Sequence, residues 1–401
     1  MSGPLEGVKV VDLSTWAAAP AACVILADWG ADVIKIEHST GGDPCRAYKG
    51  EGWLPECPLS PGWESDNRNK RSLALDLKKE KAQKIAHQLL EKADVFVSNL
   101  PESALHRINM DENTLKMINP DLIYGHLTGY GHKGENSKKP GYDFSAFWAS
   151  SGIMSTIGEP ESPPAFQRPA MGDHVTAFAF AAGICAALYT REKRGISQKV
   201  DISLMNTGIW TTSWQGQAAI LSGQDIKQVS RMDMKNPLFN IYKTKDQSWF
   251  IFTMVLPDPF WEPLCRALSL EELIDDPLFN SSAQRLANYK QLIELMDKAI
   301  AVKDMAEWAE IFNSYKLIWA PVHTIKSALE DPQTKANDFV VEVAHPAVGR
   351  LKVVNTPVRF SKTPHQIKNG APLLGQHNED ILLELGYSQS DINDLILKKS
   401  L

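Results

Sequence analysis

The tripeptide Gly172-Asp173-His174 is the densest chemical signal in this chain. It follows a stretch, residues 159–169, that holds four prolines, and it opens a long run rich in Ala, Phe and Gly. An aspartate there reads in two ways. As a helix N-cap, its oxygen accepts an otherwise unpaired N–H of the first turn. As a nucleophile, it is held ionised by the helix dipole and the free N–H groups, and that state is the one able to attack an acyl carbon. One oxygen can be held while the other attacks, so the two readings are compatible. His174 offers an imidazole, but a carboxylate is already ionised at neutral pH and needs no base. We read His174 as a satisfied structural group. The chain has no Gly-x-Ser-x-Gly elbow and no His-Glu-x-x-His, so serine-hydrolase and zinc-protease chemistry lack their residues.

A second set of candidates lies in the first half. Lys70, Arg71, Lys78, Lys79 and Arg107 fall on connections between predicted elements, where together they would form a mouth for a phosphorylated ligand. The first turn, Ser14 to Pro20, contains no glycine, whereas a dinucleotide site needs glycines there to admit a pyrophosphate. Glu37, where a ribose-binding acid would sit, reads as a solvated strand end. Phe144, Phe147, Trp148 and Met171 read equally as an apolar acyl pocket or as ordinary core.

Composition bounds what these residues can serve. With 401 residues, 43% hydrophobic and 22% charged, the chain is globular and larger than one ordinary domain. A net charge of −6 argues against an obligate nucleic-acid binder. It leaves room for one local basic pocket. Eleven tryptophans point to apolar pockets or a large interface. Five irregularly spaced cysteines without a CxxC pair make a disulfide framework or structural zinc site unexpected. The N-terminus lacks the basic and apolar regions of a signal peptide, and the apolar stretch Val175 to Tyr189 is too short to span a bilayer. The expectation is a cytoplasmic protein with no membrane, nucleic-acid or metal partner.

The elements that must position the candidates alternate. Strands are predicted at Val8–Leu13, Asp32–Glu37, Ser72–Leu77, Asp94–Ser98, Leu122–Leu127 and Lys199–Ser203, and helices at Ala17–Trp29 and Glu80–Lys92. That alternation predicts a parallel, open, doubly wound sheet. The run after Gly172-Asp173 has almost no polar face, so we expect a helix buried all round. From about Ser222 the composition turns polar and leads to a small sheet (Phe239–Thr244, Trp249–Thr253) and helices at Phe260–Leu268, Gln284–Ala301 and Met305–Phe312. The chain then returns, with strands at Phe339–Ala344 and Leu351–Val354 and a helix within Gly375–Leu385. The domain reading is 1–221 plus 325–401 for a large domain and 222–324, with linkers, for a small one.

Taken together, LEGVKVVDLS…AAAPAACVILADWGADVIKIE, NKRSLALDL, ADVFVSNL…ALHRI, LTGYG, the Gly-Asp of 172–173, ALYTREKRGISQKVDISL and PLLGQHNEDILLELGY resemble the class III CoA-transferases of the carnitine and formyl type. The blocks run from residue 5 to residue 387 in that order. The resemblance implies an α/β fold: a Rossmann-like large domain from both ends of the chain, a smaller α+β domain between, and two chains interlocked as a homodimer. It implies CoA thioesters and small carboxylic acids as substrates, with CoA passing through rather than bound permanently. It maps the nucleophile onto Asp173 and CoA contacts onto Trp16, Ala17, Leu75, Lys78, Asn99 and Arg107. Tyr142 maps onto an active-site tyrosine, and Lys139 lies near a CoA-binding lysine.

Three features depart from the family pattern. His38 stands where a basic residue often follows the IKIE block. No Gly-rich loop occurs around Leu238–Leu256 to shield a reactive intermediate. The related racemases carry Gly-His-Asp where this chain has Gly141-Tyr142-Asp143, which removes the proton-transfer imidazole. The segment 141–152 and Asn236-Pro237 resemble members acting on 2-hydroxy or aryl-substituted acids. Racemase, acyl-CoA hydrolase and non-catalytic CoA-binding protein are the rival readings.

Overall fold

The computed structural model describes residues 3–50, 52 and 54–397. Six parallel strands make the main sheet: β1 (Lys9–Leu13), β2 (Asp32–Glu37), β3 (Arg71–Ala74), β4 (Val95–Ser98), β5 (Ile123–Thr128) and β6 (Lys199–Ser203), in the order β3-β2-β1-β4-β5-β6. Their central strands are near-continuous runs of buried residues because helices cover both faces. One face packs on α1 (Ala18–Asp28) and α6 (Met171–Arg194), with α2 (Pro61–Asn67) against α1. The other face packs on α3 (Glu80–Leu90) and α5 (Glu112–Ile118); α4 (Glu102–Arg107) follows β4 and buries Leu105 in the same core. The helix Asn378–Glu384 and its successor Gln389–Leu397 add Ile381, Leu382, Ile392 and Leu395 to that core. The link is specific: Asn378 Oδ1 accepts from the Ala74 N–H at 2.8 Å, and the Ser72 carbonyl accepts from the His377 N–H. The chain's end therefore completes the core that its beginning starts.

The strand order reverses direction between β1 and β4. In an open parallel sheet, the crevice at the carboxyl ends of such strands is where ligands enter.

The chain divides into two compact units, one of Met1–Ser155, Phe166–Gln224 and Gln333–Leu401 and one of Thr156–Ala165 and Asp225–Pro332. Residues 156–165 and 325–332 thus cluster with the second unit, outside the expected 222–324. After β6 the first unit continues with α7 (Leu204–Thr211) and α8 (Ser213–Ser222), neither of which the sequence pattern flagged. Its late strands, β10 (Val340–His345) and β11 (Gly349–Val354), pair with each other as an antiparallel hairpin apart from the main sheet, and Ala344 also bridges to Asn369. The second unit holds the antiparallel sheet β7 (Ile241–Lys243), β8 (Trp249–Phe252) and β9 (Trp319–Pro321). Its helices are α9 (Asp258–Leu268), α10 (Ser282–Ala287), α11 (Tyr289–Ile300) and α12 (Met305–Ser314). The single helix expected over 284–301 is broken at Asn288, whose side-chain amide ties back to the Leu278 and Gln284 carbonyls. An aromatic core of Tyr242, Phe250, Phe252, Trp308 and Phe312 fills this unit.

The expectation that the helix after Gly172-Asp173 is buried all round is corrected. α6 buries Thr176, Ala177, Phe180, Ala181, Ile184 and Ala187, but Met171, Val175 and Tyr189 on its other side are exposed. Small residues let α1 approach closely on one side, and among the described residues nothing covers Met171, Val175 and Tyr189 on the other.

Candidate active site

The first turn, Ser14 to Ala17, is pinned from several directions. The Lys35 ammonium, wholly buried, donates to the Ser14 carbonyl at 2.8 Å. Ser98 Oγ donates to the Leu13 carbonyl at 2.7 Å. Asn99 uses both ends of its amide on Thr15: Oδ1 accepts the Thr15 N–H at 2.9 Å and Nδ2 donates to the Thr15 carbonyl at 2.8 Å. This pair bridges β1 and β4, the position where the strand order reverses. Asp43 Oδ1 accepts the Trp16 N–H at 3.1 Å. Trp16 itself sits at φ 66°, in the left-handed region that a bulky residue adopts only when its surroundings hold it there. Where a dinucleotide turn would place a glycine, this one forces an aromatic residue outward, 42% exposed. Ala17 follows at the start of α1.

Below the turn lies a charge network that the sequence reading missed. Lys70 donates at 2.8 Å to Asp12 Oδ2, the Pro20 carbonyl and Asn67 Oδ1. Burial pushes the Asp12 carboxyl up, but the Lys35 and Lys70 ammoniums outweigh it and hold it below its ordinary value. Glu37 is buried too, held by Arg46 through Nε and Nη2, each at 2.7 Å, and by Ser72 Oγ. Two expectations fall here. Glu37 is not a solvated strand end, and Lys70 is no part of a surface mouth. Arg71 is likewise spent, forked onto Asp32 and Glu384. Such pairing satisfies charges that burial would otherwise penalise.

The remaining mapped residues line the carboxyl edge of the sheet. His38 follows β2, exposed, with its ring on the Thr40 backbone and Nε2 3.8 Å from Asp76. Leu75 follows β3, but its side chain is buried in the core, so only its backbone can face a ligand. Lys78 and Arg107 are exposed, and no side-chain ion pair holds either among the described residues. Lys79 lies 4.0 Å from Asp76. Lys139 is exposed, its ammonium 5.5 Å from the Tyr130 ring centroid, and Tyr142 is exposed two residues after Pro140.

Asp173 occupies the third position of α6, not its N-cap. The cap position is Ala170, in the left-handed conformation at φ 68°, without a side-chain cap. This corrects the N-cap reading and leaves the Asp173 carboxyl free for other work. The helix start is pressed against a π-helical turn, Asp143–Ala149. A Cβ on Gly172 would stand 2.2 Å from the Phe147 ring and 2.4 Å from Asp143 Oδ1, so only glycine permits this approach. Phe147 and Trp148 are buried core, while Met171 is exposed and the Phe144 ring lies tilted against Phe166, centroids 5.1 Å apart. Of the four aromatic and apolar candidates, two are therefore packing.

Three charged groups surround Asp173. Asp143 is buried, accepts from Trp148 Nε1 at 3.3 Å and faces the backbone N–H groups of Gly172, Ala170 and Asp173. Asp66, on α2 and buried, lies 3.0 Å from His174 Nε2. Burial, reinforced by the Asp143 carboxylate, pushes the Asp173 carboxyl up to about 8, against the pull of His174. The Asp66 carboxylate raises His174 to about 9, against the pull of partial desolvation. The premise that Asp173 is ionised at neutral pH by its helix alone is thus corrected: its neighbours decide its charge. His174, read as a satisfied structural group, finds its partner in Asp66, whose carboxylate favours the charged ring. Asp66 carried no sequence signal beyond being acidic, and Asp143 was marked only by its place in the Gly141-Tyr142-Asp143 block.

Two groups of candidates result. Trp16, Ala17, His38, Leu75, Lys78, Asn99 and Arg107 stand at or beyond the carboxyl ends of β1 to β4, and Lys139, Tyr142 and Asp173 around the start of α6. A half-open carboxyl beside a held cation can act as a nucleophile, and a strand-end edge with unpaired cations can take phosphates.

Comparison with known proteins fits this chemistry. The profile of CoA-transferase family III matches residues 5–378. The chain is 32% identical over 391 residues to (R)-2-hydroxy-4-methylpentanoate CoA-transferase of Clostridioides difficile, covering 97% of each. It is 33% identical over 393 residues to cinnamoyl-CoA:phenyllactate CoA-transferase of Clostridium sporogenes, covering 97% of this chain and 95% of that one. Among solved structures, a CaiB/BaiF family protein from Brucella suis superposes with a TM-score of 0.86 at 28% identity, over 96% of this chain and all of the other. With a family match across nearly the whole length and relatives that share its extent, the chain belongs to CoA-transferase family III and is a CoA-transferase.

Proposed function

We propose that this chain moves CoA from an acyl-CoA donor to a 2-hydroxy, aryl or branched carboxylic acid, with Asp173 as the covalent acceptor. The observation that carries the reading is the half-open Asp173 carboxyl on the first turn of α6, beside the His174–Asp66 pair. An Asp173 oxygen attacks the donor thioester carbon; the C–S bond breaks, giving an aspartyl–acyl anhydride and CoA thiolate. The thiolate attacks the aspartyl carbonyl, the anhydride C–O bond breaks, and the donor leaves as its carboxylate. An aspartyl-CoA thioester remains. The acceptor carboxylate attacks it, expelling thiolate and forming a second anhydride. Thiolate then attacks the acceptor acyl carbon, which yields the new acyl-CoA and free Asp173. No net proton or electron is consumed.

Positioning supplies much of the rate, since the thiolate is never recaptured from solution. Water must be excluded, because an anhydride hydrolyses readily. Lys78, Arg107 and Lys139 serve the CoA phosphates, and Trp16, Ala17, His38, Asn99 and the Leu75 backbone its remaining contacts. Tyr142 stands at the acyl end. The two bacterial relatives named for 2-hydroxy-4-methylpentanoate and phenyllactate support the acid class. The exposed apolar residues of α6, α7 and α8 support the interlocked homodimer. The reading includes a cytoplasmic enzyme with CoA as substrate only.

The test is Asp173→Ala with a panel of carboxylic acids and acetyl-CoA, read by the masses of new acyl-CoAs. Transfer falls by about a thousandfold or more while CoA binding persists. Hydroxylamine traps the aspartyl-CoA adduct in the parent chain only. Undiminished turnover in the variant, or CoA release that needs no acceptor acid, sinks the proposal.

A further inference from the structure

Glu102, His126 and His132 come from three separate segments: α4, β5 and the loop after β5. Each presents one ligand-capable atom, and these atoms lie within 4.8 Å of one another. His126 is only 2% exposed. Its Nε2 sits 2.8 Å from the Leu100 carbonyl oxygen, which holds the ring proton there and leaves Nδ1 with a free lone pair. That Nδ1 is buried and has no hydrogen-bond partner among the described residues. Metal-bound histidines orient themselves in this way, donating the other ring N–H to a carbonyl or carboxylate.

The second imidazole faces the first, with ring centroids 5.1 Å apart. His132 Nδ1 lies 3.0 Å from Glu102, and its Nε2 lies 2.7 Å from Asp201. The surroundings are anionic. Lys199 stands 3.2 Å from Asp201, 3.6 Å from Glu112 and 4.0 Å from Glu102, and His106 pairs with Asp111 at 3.4 Å. Three carboxylates thus face Lys199, and a fourth, Asp111, faces His106; Glu102, Glu112, Asp111, His126 and Lys199 line one cavity of about 150 Å³.

We propose that this cluster binds one divalent cation of the zinc class through His126 Nδ1, the His132 ring and Glu102, with Asp201 beside it. Two imidazoles and a carboxylate suit zinc, cobalt or nickel, whereas magnesium and calcium take oxygen sets. Bonds of about 2.0–2.2 Å put ligand atoms roughly 3.4 Å apart, so the set must close by about 1 Å. Glu102 is exposed and already 3.0 Å from His132 Nδ1, so a rotation of its side chain at the surface makes that movement. The ion ties α4 to the loop after β5. It takes no part in the Asp173 chemistry, so the two proposals stand or fall separately.

The full-length chain, stripped with a chelator, is titrated with Zn²⁺ by calorimetry and with Co²⁺ by visible absorption. We expect one saturable equivalent per chain with micromolar or tighter affinity, a ligand-field Co²⁺ spectrum and a rise in Tm. His132→Gln and Glu102→Gln, both outside the buried core, each weaken binding at least about tenfold and abolish the Tm rise. Absence of a saturable equivalent overturns the proposal. So does binding that both substitutions leave intact, which would place the ion on the free thiol of Cys57 or on another surface histidine.

Discussion

At the residue scale, the charge of Asp173 is set by its neighbours. Attack needs the carboxylate, and burial with Asp143 pushes its pKa up to about 8. The expected kcat/KM therefore rises with pH through that value and flattens above it, until His174 loses its proton through about 9. Asp143→Asn removes a negative neighbour, so the rising limb moves to lower pH. His174→Gln removes a positive one, so the limb moves to higher pH. Opposite displacements in the two pH–rate profiles check the assignment; displacements in the same direction contradict it. Asp173 stood out in the sequence as a candidate because Gly-Asp opens an apolar run after four prolines. Asp66 did not, because its partner His174 is 108 residues away in sequence.

At the element scale, the contact that matters joins the start of α6 to the π-helical turn. Gly172→Ala would drive a Cβ into the Phe147 ring. Overpacking of this kind costs about 1–3 kcal/mol. We expect a lower urea midpoint at unchanged m, and a loss of transfer exceeding the loss of stability, since Asp173 moves with the helix. Adding Phe147→Leu opens space and restores part of both. If Gly172→Ala keeps full stability, the close approach is not required. Strand and helix types were legible from their periods, as the parallel strands over Asp32–Glu37 and Lys199–Ser203 illustrate. The helix start was not. A backbone conformation at Ala170 chose it, and no side-chain cap announces it.

At the scale of the whole molecule, the exposed surface holds large apolar side chains: Met171, Val175 and Tyr189 on α6, Ile209 and Trp210 on α7, Trp214, Ile220 and Leu221 on α8. Trp214 is 89% exposed, which a lone chain in water has no reason to keep. α6 is also long and apolar enough to cross a membrane by length and composition, but one of its faces is fixed against α1. The proposed homodimer predicts a light-scattering mass twice that of the chain, without detergent. It also predicts that Trp214→Glu yields monomer or aggregate instead. A monodisperse monomer in the parent chain contradicts it.

The sequence by itself determined the alternation of strand and helix, the glycine-free first turn, the acidic group at the head of α6 and the family resemblance. These are carried by local patterns, by residue spacing and by blocks in order. Tertiary structure decided which charges are spent and which remain. Lys70 and Arg71 looked like Lys78 and Arg107 on paper. Burial consumed Lys70 in an ion pair with Asp12, the surface carboxylates of Asp32 and Glu384 took up Arg71, and Lys78 and Arg107 were left exposed. It also brought Asp66 and Asp143 to Asp173, and so set the protonation of the proposed nucleophile. Electrostatic partners are chosen by distance in space under low dielectric, and sequence separation does not encode that distance.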